Sequence, residues 1–85
     1  MMLWESNMRI SLQKKTTKIT KVERLGAVSD HRLNCYFNAQ IKPISIKWNG
    51  NTYANISEGT TTNEYYVHIR SYPEPSKGDE LILNY

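Results

Sequence analysis

The chain has 85 residues, of which 39% are hydrophobic and 22% are charged, and its formal net charge is +3. A chain of this length forms one small domain with a thin core, which argues against a deep catalytic cavity and favours a binding role. The modest positive charge favours anionic partners, but it is weaker than the clustered charge of a dedicated nucleic-acid binder. One cysteine and two histidines supply neither a disulfide nor an ordinary structural zinc site. We therefore expect no enzyme activity, no cofactor and no metal.

The N-terminal region divides into an arm and a predicted strand. Residues 1–7 place Leu3 and Trp4 outside any strand pattern, so we interpret this segment as a flexible arm that docks on a neighbouring subunit or folds back over its own domain. Residues 8–13 alternate apolar with polar side chains, which predicts a strand. The start lacks the pattern of a secretory signal, and no apolar stretch reaches membrane-spanning length. We expect an intracellular protein without a membrane partner.

Residues 15–33 are basic and poor in apolar side chains, and we interpret them as a long mobile loop. Strand character near residues 18–22 is an alternative, as is a short helical turn based on the spacing of Ile19, Val22 and Leu25. The cations that would face the phosphates of DNA are Lys14, Lys15, Lys18, Lys21 and Arg24. A solvated loop without a ligand explains the same charges.

Residues 34–42 give the clearest strand pattern in the chain. Pro43 shifts its parity, which predicts a bulge or kink that lets the apolar face continue toward the next strand. Cys35 falls in phase with the apolar set and is expected to be a buried, inert thiol. The side chains predicted to face the core are Cys35, Phe37, Ala39, Ile41, Ile44, Ile46 and Trp48.

The segment 49–51, Asn-Gly-Asn, predicts a hairpin turn between two strands. A two-residue loop would set Ile46 opposite Tyr53, whereas a three-residue loop would set Ile46 opposite Ala54. The three-residue loop keeps more apolar side chains on one face, so it is the register that we predict.

Residues 64–72 predict another strand, with Tyr65, Val67 and Ile69 facing the core. Interleaved aromatic and cationic side chains occupy the opposite side of this strand. Such a row is typical of a platform on which single-stranded nucleic acid stacks, and equally of a protein interface. Its members are Tyr66, His68, Arg70 and Tyr72.

A turn at residues 73–79 and a short strand at residues 80–85 complete the pattern. Five to six strands with regular turns predict an all-β domain over residues 1–85, a small antiparallel barrel or sandwich. The adjacent residues Ser29, Asp30 and His31 are of the types found in a hydrolase triad, but neighbours on an extended chain point apart. We therefore assign no catalytic residues.

Four segments carry a resemblance to a known family: RISLQK at residues 9–14, FNAQIKPIS at 37–45, VHIR at 67–70 and KGDELIL at 77–83. In this order they resemble the short head-tail connector, or head-closure, proteins of tailed bacteriophages. The resemblance implies a small β-barrel whose copies form a ring between portal and tail and help retain the packaged DNA. Such proteins usually continue past the position of Tyr85 with a glycine turn and another strand, and here the sequence departs from the pattern.

If the resemblance holds, the partners are the portal or adaptor ring, tail proteins and further copies of the chain. The segment 15–32 would then be a channel loop that makes non-specific contacts with DNA, and Leu3 and Trp4 would contact an adjacent subunit or the adaptor ring. The expected location is the virion, and the host cytoplasm during assembly. Two other hypotheses stay open, namely a small phage inhibitor of a host enzyme and a single-strand binder of OB type.

Overall fold

The computed structural model describes residues 15–85, so the predicted arm at residues 1–7, the strand predicted at 8–13 and Lys14 lie outside the described residues. The described part contains eight strands and one short 3₁₀ turn at Val28–Asp30. The strands are β1 Lys15–Lys18, β2 Lys21–Leu25, β3 Arg32–Asn38, β4 Ser45–Trp48, β5 Asn51–Tyr53, β6 Ile56–Glu58, β7 Glu64–Arg70 and β8 Glu80–Asn84.

The strands form two antiparallel sheets of four, a first sheet in the order β1-β8-β4-β5 and a second sheet in the order β2-β3-β7-β6. The predicted all-β antiparallel fold is therefore confirmed. Where β1 runs into β2, the amide of Ile19 donates to the carbonyl of Asp79 at 2.9 Å, while the next amide, of Thr20, donates to the carbonyl of Tyr36 at 2.8 Å. The chain thus changes sheets within two residues, and β5 and β6 make a similar passage at residues 54–55. The two sheets are therefore linked by chain passages at both places and form a sandwich, with β1 and β5 at the edges of the first sheet and β2 and β6 at the edges of the second.

The core lies between the two sheets and follows the predicted alternation on β3 and β7. On β3 the side chains of Leu33, Cys35 and Phe37 are buried, whereas the intervening Asn34 and Tyr36 are not. The same alternation on β7 confirms the inward prediction for Val67 and Ile69. The complete buried set is Ile19, Leu33, Cys35, Phe37, Ile46, Trp48, Ile56, Val67, Ile69, Leu81 and Leu83.

The prediction of a long mobile loop at residues 15–33 is wrong. This segment forms β1, β2, the 3₁₀ turn and the start of β3, with β1 paired to β8 and β2 paired to β3. Both β1 and β2 are edge strands that bury almost no side chains, so they lack the apolar alternation by which a strand is recognised. The buried apolar side chain of Ile19 lies between the two strands, at the corner where β1 leads into β2.

The predicted three-residue hairpin loop is also wrong. Ile46 pairs with Tyr53, so the loop consists of Asn49 and Gly50 alone. Their φ angles are 51° and 83°, and positive values at both positions are those of a type I′ turn, whose twist matches that of the flanking strands. Ala54 consequently lies at the corner leading to β6 and is exposed. The chemistry of the turn outweighs the gain from one more apolar pair.

The chain between β3 and β4 departs from the predicted inward pattern. β3 ends at Asn38, and the side chains of Ile41 and Ile44 are 68% and 71% exposed. The prediction that a bulge or kink at Pro43 keeps the apolar face continuous is therefore wrong, because Pro43 itself is buried and the two isoleucines are exposed. The amide of Ile44 donates to the carbonyl of Asn84 at 2.8 Å, which fixes the segment against the end of β8.

Candidate functional site

The solvent side of the second sheet, which we call the outer face, gathers most of the predicted aromatic and cationic row. Antiparallel pairing of β3 with β7 sets Tyr36 opposite Tyr66, Asn34 opposite His68 and Arg32 opposite Arg70. On β2, Lys21 lies beside Tyr36 and Glu23 beside Asn34. The outer face includes Lys21, Glu23, Arg32, Asn34, Tyr36, Tyr66, His68 and Arg70, with Leu25 beside Arg32 and Ser57 beside Tyr66.

Tyr36 forms the centre of the outer face. Its ring centroid lies 5.0 Å from that of Tyr66, and the ammonium nitrogen of Lys21 lies 4.1 Å from its centroid. Its hydroxyl donates a hydrogen bond to Glu23 Oε1 at 3.1 Å. Partial desolvation, with a smaller contribution from this hydrogen bond, raises the pKa of Tyr36. Since neighbours on both adjacent strands contact the ring, Tyr36 is poorly placed to stack on a base.

Arg32 and Arg70 lie directly opposite each other at one end of the outer face. Arg32 is half-buried and Arg70 is exposed. Among residues 15–85, no carboxylate lies within 4.0 Å of either guanidinium, and neither guanidinium donates a hydrogen bond. The Nε of Arg32 is buried and has no hydrogen-bond partner in this part of the chain. This end of the face therefore holds two adjacent cations without an ion-pair partner in residues 15–85, although Asp30 Oδ2 and Arg32 Nη2 both lie beside Gly26.

Arg24, predicted to face phosphate, is engaged in the fold. Its two terminal nitrogens each donate to a carboxylate oxygen of Glu74 at 2.8 Å, and His31 Nδ1 lies 2.9 Å from Glu74 Oε2. The hydrogen bond from Arg24, followed by the contact with His31, lowers the pKa of Glu74 to about 2. The pair ties the edge strand β2 to the connection between β7 and β8. Tyr72 lies beyond the end of β7 and packs on His31, with ring centroids 4.8 Å apart.

The remaining predicted phosphate-facing lysines are divided between the sheets. Lys15 and Lys18 lie on β1, opposite Leu83 and Glu80 of the first sheet, whereas Lys21 lies on the outer face of the second sheet. Lys15, Lys18, Lys21 and Arg24 therefore do not make one phosphate-binding surface. Sequence reasoning also missed Arg32 and Tyr36, although Tyr36 lies on the polar side of the strand predicted at residues 34–42. Their significance depends on pairing with β7, which the alternation of one strand does not reveal.

A second surface, which we call the apolar patch, surrounds the connection between β3 and β4. Ile41 and Ile44 are exposed there, and the hydroxyl of Tyr85 donates to the carbonyl of Ile41 at 3.0 Å. A groove of about 330 Å³ adjoins Ile41 and is lined also by Ala39 and Leu83. Large exposed apolar side chains grouped in this way are typical of contact surfaces.

Residues with reactive side chains elsewhere are held in structural contacts. The Asp30 carboxylate accepts a hydrogen bond from the Ala27 amide at 3.1 Å, and His31 is paired with Glu74, so Ser29, Asp30 and His31 form no relay. Burial, helped by the charge of Asp79, raises the pKa of the Cys35 thiol to about 12. Within residues 15–85 no group of three or more His, Cys, Asp or Glu side chains is arranged to hold a metal. Within the same residues, no helix is long and apolar enough to cross a membrane.

Comparison of the chain with protein-family models, with curated proteins and with solved structures finds no match.

Proposed function

We propose that the chain is a non-enzymatic structural subunit of a tailed-phage particle, a ring-forming connector that helps close the head between portal and tail. Three of the four segments that carry the resemblance include residues of central strands or lead into them. Residues 37–45 run from the end of β3 to the start of β4, residues 67–70 end β7, and residues 77–83 lead into β8. The three segments therefore touch β3 and β7 of the second sheet and β4 and β8 of the first sheet.

The observation that carries the proposal is the presence of two unlike contact surfaces on one small domain. A ring of identical subunits is built from heterologous contacts, in which one surface of a subunit meets a different surface of the next. The outer face is rich in Tyr and Arg, residue types enriched at protein interfaces, whereas the apolar patch exposes Ile41 and Ile44. The outer face lies on the second sheet, whereas the apolar patch lies beside β1 and β8 of the first sheet.

The proposal does not assign retention of DNA to residues 15–33, because those residues form strands and a short turn. It also favours a protein interface over an OB-type platform for single strands, since a stacking platform needs free ring faces and Tyr36 is flanked by Lys21 and Tyr66.

Quantitative mass spectrometry of purified particles from the producing cells tests the proposal. We expect peptides of this chain at a fixed, ring-like ratio to the portal protein. Ile44→Asp should remove the chain from particles, because it places a charge on the apolar patch. Val28→Asp is the matched control, since Val28 is 69% exposed but lies in the 3₁₀ turn.

Two outcomes would contradict the proposal. Absence of the wild-type chain from particles, together with a one-to-one complex with a host enzyme, would replace it with the inhibitor hypothesis. Equal incorporation of Ile44→Asp and the wild type would leave a particle protein whose ring does not use the apolar patch, and would remove the two-surface argument.

A further inference from the structure

Arg32 and Arg70 lie in an arrangement that the fold itself does not explain. Like charges directly opposite each other destabilise a pair of strands. The Nε of Arg32 is a buried donor without an acceptor among residues 15–85, and such a donor costs free energy. Arg24 shows that the same molecule can supply an arginine with a bidentate carboxylate partner. Within residues 15–85, neither arginine of this pair forms an ion pair, and the Arg32 Nε lacks a hydrogen-bond acceptor.

We propose that Arg32 and Arg70 form a binding site for a phosphate group on the outer face. The planar guanidinium matches the oxygen spacing of phosphate, and two adjacent guanidiniums can share the oxygens of one phosphate group. A carboxylate has only two oxygens and one charge, so it satisfies two guanidiniums less well. His68, two residues before Arg70 on β7, is a further potential donor on this face.

The other charges near the site are compatible with phosphate. The carboxylate of Glu23 accepts hydrogen bonds from Asn34 and from Tyr36, so it is already engaged on the same face. The carboxylate of Asp30 accepts from the Ala27 amide and makes no ion pair with Arg32, but its Oδ2 lies with Arg32 Nη2 beside Gly26, so phosphate has to approach Arg32 from the side of Arg70.

The phosphate could belong to a free phosphate compound or to the backbone of a nucleic acid. In either case the proposed contact of the two arginines is to phosphate, and Tyr36, flanked by Lys21 and Tyr66, is poorly placed to stack on a base. Binding to nucleic acid would consequently be independent of sequence and sensitive to salt. The site goes beyond the proposed function, since assembly into a ring does not require a phosphate ligand.

Nitrogen-detected or proton-nitrogen NMR of the arginine Nε-H groups tests this inference on the wild-type chain. Inorganic phosphate, a short mixed-sequence DNA duplex and acetate are titrated separately at matched ionic strength. We expect phosphate and duplex to shift the Arg32 and Arg70 signals and acetate to leave them in place. Arg70→Gln should weaken binding by about tenfold, the effect of losing one charge-assisted hydrogen-bonded contact, and should lower the salt slope by about one.

Two further variants separate a defined site from general attraction. Arg70→Lys keeps the charge but loses the planar fork, so we expect it to bind more weakly than the wild type. Lys47→Gln removes the same charge from an exposed position on the first sheet and should leave phosphate binding unchanged. The inference is overturned if phosphate shifts neither arginine signal, or if Lys47→Gln weakens binding as much as Arg70→Gln.

The separate titrations identify the source of the oxyanion. Binding of phosphate without binding of the duplex supports the site and assigns it to a small phosphate compound. Equal shifts with acetate would overturn the assignment to phosphate and point to a carboxylate of a protein partner. None of these readouts depends on particle assembly, so the site and the connector proposal can fail independently.

Discussion

The two sides of the second sheet are built from alternate residues of the same strands, yet they differ in what holds them. The inner side chains are packed so closely that Cys35, Phe37 and Ile69 have no exposed surface. On the outer face, Tyr36 and Tyr66 are half-buried, while Arg70 is exposed and has no counter-charge in the described part of the chain. The inner side is determined by packing, whereas the outer face retains groups that packing does not need. Binding residues are therefore to be sought on the outer face.

The largest expected effect comes from Phe37, the bulkiest of the fully buried side chains. We expect Phe37→Ala to lower the free energy of unfolding by about 3–5 kcal/mol, because it removes apolar contacts and leaves a cavity. Tyr36→Ala, one residue away on the outer face, should cost only about 1 kcal/mol through its cross-strand contact. Urea unfolding followed by circular dichroism measures both. Equal losses would show that the outer face is as much a part of the core as the inner one.

Cys35 probes the inner side chemically. Its pKa is raised from 9.0 to about 12, which reduces the thiolate fraction at a given pH about a thousandfold. We expect alkylation by iodoacetamide at pH 8 to be at least that much slower in the native chain than in urea, where the thiol is exposed and unperturbed. Mass spectrometry of timed samples gives both rates. Rapid labelling under native conditions would mean that the two sheets open readily.

Glu74 pairs with Arg24 of the edge strand β2, so this arginine, unlike Arg70, has a counter-charge. Its folded-state pKa of about 2 is below the ordinary value of 4.5. A lowered pKa stabilises the folded state above about pH 4.5, and this contribution is lost as the pH falls toward 2. We expect Glu74→Gln to lower the Tm at pH 7 and to remove part of the acid dependence between pH 5 and 2.

Glu58→Gln is the control for that measurement, because Glu58 is exposed on β6 and makes no ion pair with another described residue. Thermal unfolding of both variants and the wild type across this pH range supplies the comparison. If the Tm of Glu74→Gln fell with pH as steeply as that of the wild type, the pair with Arg24 would contribute nothing to stability.

Parts of the fold could be predicted from sequence because a half-buried central strand records its burial in alternating residues. This applies to the inward residues of β3 and β7, such as Phe37 and Val67. The edge strands β1 and β2 bury too little to show alternation, so they resembled a loop. The register of the hairpin followed the backbone preference of Asn49 and Gly50 and not the apolar count.

The arrangement of the candidate site was less accessible to sequence reasoning, because it depends on which strands become neighbours. Nothing in the alternation of β3 indicates that Arg32 meets Arg70, or that Tyr36 meets Tyr66. The partner of Arg24 is 50 positions away in sequence, so its structural role could not be separated from that of the free cations. The sequence pattern of a single strand identified which side chains face outward. It did not identify contacts between two strands, because these depend on how the strands pair.

The smallest expected effect is also the one that most directly separates binding from folding. Arg70→Gln should change the free energy of unfolding by no more than about 0.5 kcal/mol, because Arg70 is exposed and unpaired within residues 15–85. At low salt the variant should be slightly more stable than the wild type, since the substitution relieves repulsion from Arg32 that salt otherwise screens. Urea unfolding at two salt concentrations, with Lys47→Gln alongside, measures this. A clear loss of stability would show that Arg70 has a structural partner, whereas unchanged stability with weakened phosphate binding would mark Arg70 as a residue retained for its ligand.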